Sequence, residues 1–278
     1  MTDHDTPSRP LILVTNDDGI ASPGLHAAVN AVAPLGELLV AAPKTQQTAA
    51  GRSLMAIPWK VERYDLTLRD GTPVNAYAVE GTPAQAVRGG LLLLSERRPD
   101  LLVSGISYGE NVGVGVTISG TVGAAIEGAT FGVPGLAVSL ETDIKHHLVH
   151  SDEVDFSTAA YFTHLFARMM LELSLPAHTD LLKLDIPRAA TPETPWRITR
   201  VSRQSYWRSL IEEIEGTRQY AGYERSIEPD TLEPDSDIYA IVVDEVISVT
   251  PMTIDLTANE DFAALAEEVK QALGRNER

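Results

Sequence analysis

Hydrophobic and polar positions change period several times along the chain. Leu11–Thr15 is a short apolar, β-leaning run that ends in Asn16-Asp17-Asp18-Gly19, so a strand is predicted with polar chemistry where it stops. Ser22 followed by Pro23 supplies an N-cap and a first helical residue, after which Leu25, Ala28, Val29 and Val32 recur at helical spacing. Glu37–Ala42 reads as the next strand, and Pro43 opens the polar loop KTQQTAAGRS. Val74–Val79 predicts a further strand, and Thr82-Pro83 repeats the cap-then-proline start for a helix through about Leu94. Leu101–Ser104 follows as a strand and runs into the glycine-rich GISYGENVGVGVTISGT, after which Ser119 or Thr121 caps an alanine-rich helix ending near Gly132. A strand over Leu136–Leu140, an amphipathic helix over roughly Asp155–Leu173 and a strand over Leu181–Asp185 complete the series.

Short apolar strands alternating with helices predict an α/β fold, a mainly parallel sheet covered on both faces in the doubly wound, Rossmann-like manner. The alternation breaks at about Pro187–Asp237, which is rich in Pro, Glu and Arg with scattered aromatics. The chain therefore divides into a disordered tail over 1–10, a core over 11–190, a projecting arm over 191–237 and a β-rich C-terminal extension over 238–278. Within the extension Ile238–Val243 and Glu245–Val249 read as strands, and Thr257 with Glu260 forms a capping box for a helix closing near Gly274. Tyr206, Trp207, Tyr220 and Tyr223 on the arm read as an oligomer contact, the alternative being an ordinary loop packed on its own domain.

Composition narrows the class. The 278 residues are 44% hydrophobic and 22% charged, as in a globular protein, and their longest apolar runs fall far short of the ~18 residues that span a bilayer. The first ten residues, MTDHDTPSRP, lack the basic-then-apolar pattern of an export signal, so a cytoplasmic address and no membrane partner are expected. With no cysteine there is no disulfide, thiolate metal site or cysteine nucleophile. The net charge of −17 is uneven: residues 208–278 carry six basic against seventeen acidic side chains. A field of that sign repels a polyphosphate backbone, so a nucleic acid polymer is not an expected partner, whereas a small anion recruited by a cation is compatible.

In an open parallel sheet, ligands bind beyond the carboxyl ends of the strands, and three loops meet that rule. The first holds Asp17 and Asp18, which can face one ligand only if the chain turns there, as Gly19 permits. Two clustered carboxylates repel unless a cation lies between them or one is protonated, and oxygen-only donors suit Mg2+ or Mn2+; the alternative is a turn in which Asp caps the next helix. The second loop, Lys44–Ser53, offers hydroxyls and amides, Thr48 among them. The third, Gly105–Thr121, carries Ser107, Asn111 and, at a helix start, Ser119-Gly120-Thr121, whose free N–H groups make a seat for phosphate; its alternative is a plain Ser/Thr cap. Gly105-Ile106-Ser107-Tyr108-Gly109 is also a literal GxSxG after a strand, with His146, His147, His150, His164 and His178 downstream, which admits a serine hydrolase using Ser107. That motif needs a helix directly after the serine, and Glu110–Ser119 is a poor helix by propensity. His146 and His147 lie in a polar stretch and are expected on the surface.

The runs LVTNDDGIASPGL, VAAPKTQQTAAG, EGTPAQAV, PDLLVSGISYGENVG, ISGTVGAAIEG, FGVPGLAVSL and SVTPMTIDLTA, in that order from about Leu11 to Ala258, resemble the SurE family of stationary-phase survival proteins. The resemblance implies a Rossmann-like core, divalent-metal-dependent cleavage of nucleoside 5′- and 3′-monophosphates, and a C-terminal extension exchanged between subunits of a homodimer or homotetramer. It implies one Mg2+ or Mn2+ per subunit on Asp17 and Asp18, the catalytic pair, with Thr48 where the family carries a serine and Ser107 where it carries the asparagine of SGIN. Asn16, Asn111, Ser119, Gly120 and Thr121 fall at positions around the substrate phosphate. Lys44 and Gln85 stand where aspartates are common, and the Ser107 difference creates the GxSxG pattern. With Ser107 in that place a non-catalytic nucleotide-binding homologue with a weakened metal site is the other implied alternative.

Overall fold

The computed structural model describes residues 9–274, so residues 1–8 of the expected tail lie outside the described residues. In chain order the strands are β1 (Leu11–Thr15), β2 (Glu37–Pro43), β3 (Val61–Arg63), β4 (Leu66–Thr67), β5 (Pro73–Val79), β6 (Leu101–Tyr108), β7 (Gly135–Leu140), β8 (Leu181–Ile186), β9 (Trp196–Ile198), β10 (Trp207–Ile214), β11 (Thr217–Arg225) and β12 (Ile247–Met252). The α-helices are α1 (Pro23–Val32), α2 (Pro83–Gly89), α3 (Gly120–Thr130), α4 (Ser157–Glu172), α5 (Asp237–Val242) and α6 (Phe262–Gly274).

Six strands, in the order β5-β2-β1-β6-β7-β8, pair in parallel. Counted along the chain this is 3-2-1-4-5-6, the doubly wound order, with its switch point between β1 and β6, where the connections leave to opposite sides. Such strands are buried on both faces, which is why β6, β7 and β8 are buried at every residue. Helices α1 and α4 pack together on one face around Leu25, Val29, Phe162 and Phe166; α2 and α3 cover the other around Leu13, Leu102, Val87 and Ala124. Each fully buried leucine among these contributes about 1.5–3 kcal/mol by its removal from water.

Two antiparallel additions finish the sheet. β3 and β4 pair with β5 at one edge, and β12 runs antiparallel to β8 at the other, with β9 parallel to β12 outside it. β10 and β11 form a separate hairpin whose two-residue turn, Glu215-Gly216, takes positive φ at both positions, the geometry that matches strand twist.

Three expectations are corrected. Ile238–Val243 is not a strand but lies in and just beyond α5: Ser236 Oγ accepts from Tyr239 N at 3.2 Å, and Asp237 is buried, so capping and tertiary burial override the β-branched run. The cap of α6 is Asp261, whose carboxylate accepts from Ala263 N at 2.9 Å and Ala264 N at 3.1 Å, rather than the pair Thr257 and Glu260. Ser22 occupies the N-cap position of α1 yet makes no capping bond, and Pro23 alone sets that start. Of the arm aromatics, Tyr206 is buried, Trp207 meets His147 edge-on, Tyr223 stacks on it, and Tyr220 is 62% exposed.

The first turn of α1 lies so close to β6 that a Cβ on Gly24 would sit 2.0 Å from the Ile106 carbonyl oxygen. Gly24→Ala is therefore expected to destabilise the protein by about 2 kcal/mol or more, whereas Gly115→Ala, with open space around it, should stay within about 0.5 kcal/mol of the parent. Urea unfolding of the two variants measures the contrast.

Candidate functional site

The site is built where β1 and β6 end, at the switch point. Asn16 closes the turn after β1: its Oδ1 accepts from Gly19 N and its Nδ2 donates to Gly19 O, both at 3.1 Å. Gly19 sits at φ +98°, so the chain doubles back and Asp17 and Asp18 share one polar centre instead of facing opposite sides of a strand. Asn16 thus spends both polar ends on the turn.

Asp17 Oδ1 accepts from Thr121 Oγ1 at 2.7 Å, and the start of α3 lies directly against this carboxylate. A Cβ on Gly120 would fall 2.6 Å from Asp17 Cβ and 2.8 Å from Oδ2, so only glycine fits there and the positive end of α3 approaches an anion. Asp18 Oδ1 accepts from Gln46 Nε2 at 3.1 Å, Oδ2 accepts from Tyr108 N at 3.2 Å, and its carbonyl accepts from His150 Nε2 at 2.9 Å. Ser107 is buried beside the pair, close enough for its hydroxyl to lower the proton affinity of both carboxylates. Burial raises the affinity of Asp17 for its proton, and burial together with the charge of Asp17 raises that of Asp18 well above the carboxylate range.

The second loop is fastened from two sides. Gln47 N donates to Asp17 O at 2.7 Å and Gly51 N to Ile118 O at 2.9 Å. Glu127, buried on α3, takes Arg52 Nε at 2.6 Å on one oxygen and Arg88 Nε at 2.5 Å on the other. Thr48 lies exposed on this loop, and its side chain makes no hydrogen bond among the described residues. On the third loop Asn111 Nδ2 donates to Ser139 Oγ at 2.6 Å, and Ser119 caps α3 by accepting from Val122 N at 3.0 Å. The structure thus brings Asp17, Asp18, Ser107, Gly120 and Thr121 into contact. Asn111 is held against β7, and Thr48 is left at the rim.

The GxSxG reading fails on geometry. Residues 105–108 lie within β6, Ser107 pairs in register with Ser139 on β7, and among the described residues no imidazole is hydrogen-bonded to its hydroxyl. His147 corrects another expectation: it is buried, its Nδ1 lies 2.9 Å from Tyr223 Oη, and burial lowers its pKa to about 4. Gln46 is one of the amides the sequence offers on the second loop, and here it bridges Asp18 and the His147 carbonyl; sequence reasoning gave no role at the pair to His150 or the Tyr108 amide. No local motif marks them, because each acts from a loop brought in by the fold.

Which residues could hold a cation follows from the donors. Among the described residues no three His, Cys, Asp or Glu side chains converge, so an ion here would rest on two carboxylates and neutral oxygens, a hard and anionic donor set.

A family model described as survival protein SurE matches residues 12–208. A protein named 5′-nucleotidase SurE from Thermococcus kodakarensis is 41% identical over 267 residues, covering 94% of this chain and 98% of that protein. One of the same name from Methanocella arvoryzae is 40% identical over 260 residues, covering 90% and 94%. The crystal structure of the SurE protein from Aquifex aeolicus superposes with a TM-score of 0.75 at 30% identity, covering 92% of this chain and 98% of that one.

Because both folded-state pKa values are raised, the unfolded chain ionises first as pH climbs above about 4, and the cost to stability grows until the folded carboxylates ionise as well and then stays at that level. In metal-free protein Asp18→Asn is expected to raise the melting temperature at neutral pH, with a gain that shrinks as pH falls toward the ordinary carboxylate range. Thermal melts of parent and variant across that range check the sign.

Proposed function

The chain belongs to the SurE family, and on that premise we propose that it is a divalent-metal-dependent phosphatase converting nucleoside 5′-monophosphates, and 3′-monophosphates, to nucleoside and phosphate. The observation that supports the reading best is the burial of two like-charged carboxylates beside each other against the N-terminus of a helix. Such a pair fits a cation: Mg2+ or Mn2+ would relieve the repulsion and satisfy oxygen-only donors. Asp17, Asp18 and Ser107 would hold one ion per subunit, with the Thr48 hydroxyl on the adjoining loop. When bound, the ion supplies Lewis-acid neutralisation of charge on the phosphoryl group.

The remaining chemistry belongs to the chain. Thr121 already donates its hydroxyl hydrogen to Asp17, so it orients the carboxylate, while Ser119 accepts from Val122 N and keeps its own hydroxyl hydrogen for a phosphate oxygen. Asn111 uses one amide hydrogen on Ser139 and retains the other. Those donors, with the N–H group of Gly120, would meet the equatorial oxygens while Asn16 keeps the turn closed. Ser107, lying between acids, takes the part of a ligand rather than a nucleophile.

A second copy of the chain is the proposed partner. On α6, Phe262, Leu265, Val269 and Leu273 recur at helical spacing and are 48–64% exposed, an apolar stripe that a homodimer or homotetramer built by exchange of the extension would cover. Among the described residues no helix is long and apolar enough to cross a membrane, and the cysteine-free composition suits the reducing cytoplasm, where we place the protein.

Phosphate release from nucleoside monophosphates should be abolished by a chelator and restored by Mg2+ or Mn2+, and Asp17→Asn should lower kcat by about 10²-fold or more while the chain stays folded. Full turnover in that variant, read in the same assay, would refute the scheme. Leu265→Glu combined with Val269→Glu is expected to shift the sedimentation profile toward monomer; an unchanged profile places the interface elsewhere.

A further inference from the structure

A second set of buried charges lies behind the phosphate loop. Lys183, Asp185 and Asp237 are each fully buried. Lys183 and Asp185 are two apart on β8 and share one face of the sheet, whereas Asp237 arrives from the start of α5, 54 residues after Lys183. Lys183 Nζ donates to Asp185 Oδ2 and, at 3.1 Å, to Asp237 Oδ2. The remaining acceptor positions point at backbone. Asp185 Oδ1 accepts from Asn111 N at 2.8 Å, and Asp237 Oδ2 accepts from Gly113 N at 3.1 Å. Asp237 Oδ1 accepts from Ser202 N at 2.9 Å and Ile238 N at 2.8 Å.

We propose that Lys183 and Asp237 are positioning residues for the phosphate site, fixing the Asn111–Gly113 backbone through paired carboxylates so that the Asn111 amide is held in place. The inference rests on the assignment of Asn111 to phosphate made above. The loop needs such a clamp, because glycines at 105, 109, 113 and 115 give it little stiffness of its own. Its amides at Asn111 and Gly113 would otherwise be buried donors without acceptors. Carboxylates are the stronger acceptors for this task, and Lys183 offsets one of their two negative charges, which would otherwise repel a phosphate dianion. Asp237 lies beyond residues 12–208, the part that matches the family model, so the chain that follows that part completes the loop as well as extending the sheet. Gly113 adds to the fit: a Cβ there would lie 2.5 Å from Gln204 O, and Val114 N donates to that same oxygen at 3.1 Å.

The test uses the full chain with Mg2+ present. In the unaltered protein, hydrogen exchange resolved at single amides should show Asn111 and Gly113 protected to the level of the β6 interior; free exchange at both would overturn the proposal without any variant. Asp237→Asn keeps an oxygen for Ser202 and Ile238 but removes the acceptor for Gly113 and Lys183. It should speed exchange within residues 109–114 selectively and weaken binding of inorganic phosphate, read by calorimetry, about tenfold. A folded variant with parental exchange and parental phosphate affinity would overturn the assignment, and if the variant does not fold, the exchange pattern of the unaltered protein decides. A protein that binds phosphate and shows the protected amides yet releases none from nucleotides would sink the proposed activity and leave the clamp standing.

Discussion

Two adjacent carboxylates cannot both ionise in one buried turn unless positive charge or donated hydrogen bonds surround them, and the architecture of the switch point answers that constraint. Burial and mutual repulsion push Asp17 and Asp18 toward protonation. Against this act the start of α3, the Thr121 hydroxyl, the Tyr108 amide, the Gln46 side chain and Ser107, drawn from three loops that the parallel sheet delivers to one edge. Those donors moderate the cost without cancelling it, which is why a cation is proposed at this pair.

The same edge is stiffened from behind. Glu127 fixes the Lys44–Ser53 loop through Arg52, and Lys183 with its two aspartates fixes the loop after β6. At the outer rim Arg225 of β11 donates to Glu110 at 3.0 Å and to Glu141 at 2.7 Å, which ties the hairpin root to the ends of β6 and β7. The segments to which the phosphate donors are assigned are therefore held by ion pairs on buried carboxylates, those of Lys183 being buried on both sides, and two of those three fastenings reach into residues beyond 208.

Much of the core was legible in sequence, for definite reasons. Short strands such as Leu11–Thr15 are bounded by Gly and polar residues, and Pro-initiated helices follow at fixed offsets, so the order of alternation translated directly into the parallel sheet. The carboxylate pair and the α3 start were legible because both lie within a few residues of a strand end or a cap. The rest depends on contacts distant in sequence. Ile238–Val243 has the composition of a strand and becomes helical around the buried Asp237. Val61–Arg63 and Leu66–Thr67 are too short to show a period and exist only by pairing with β5. His147 sits in a polar stretch, and only Trp207 and Tyr223, delivered by the hairpin, make it interior.

The most direct test of the central claim is a titration of the chain with Mn2+, following the free ion by electron paramagnetic resonance. Binding of one ion per chain that disappears when both Asp17 and Asp18 are replaced by asparagine is the expected result. Undiminished binding in that double variant would contradict the assignment of the ion to this pair.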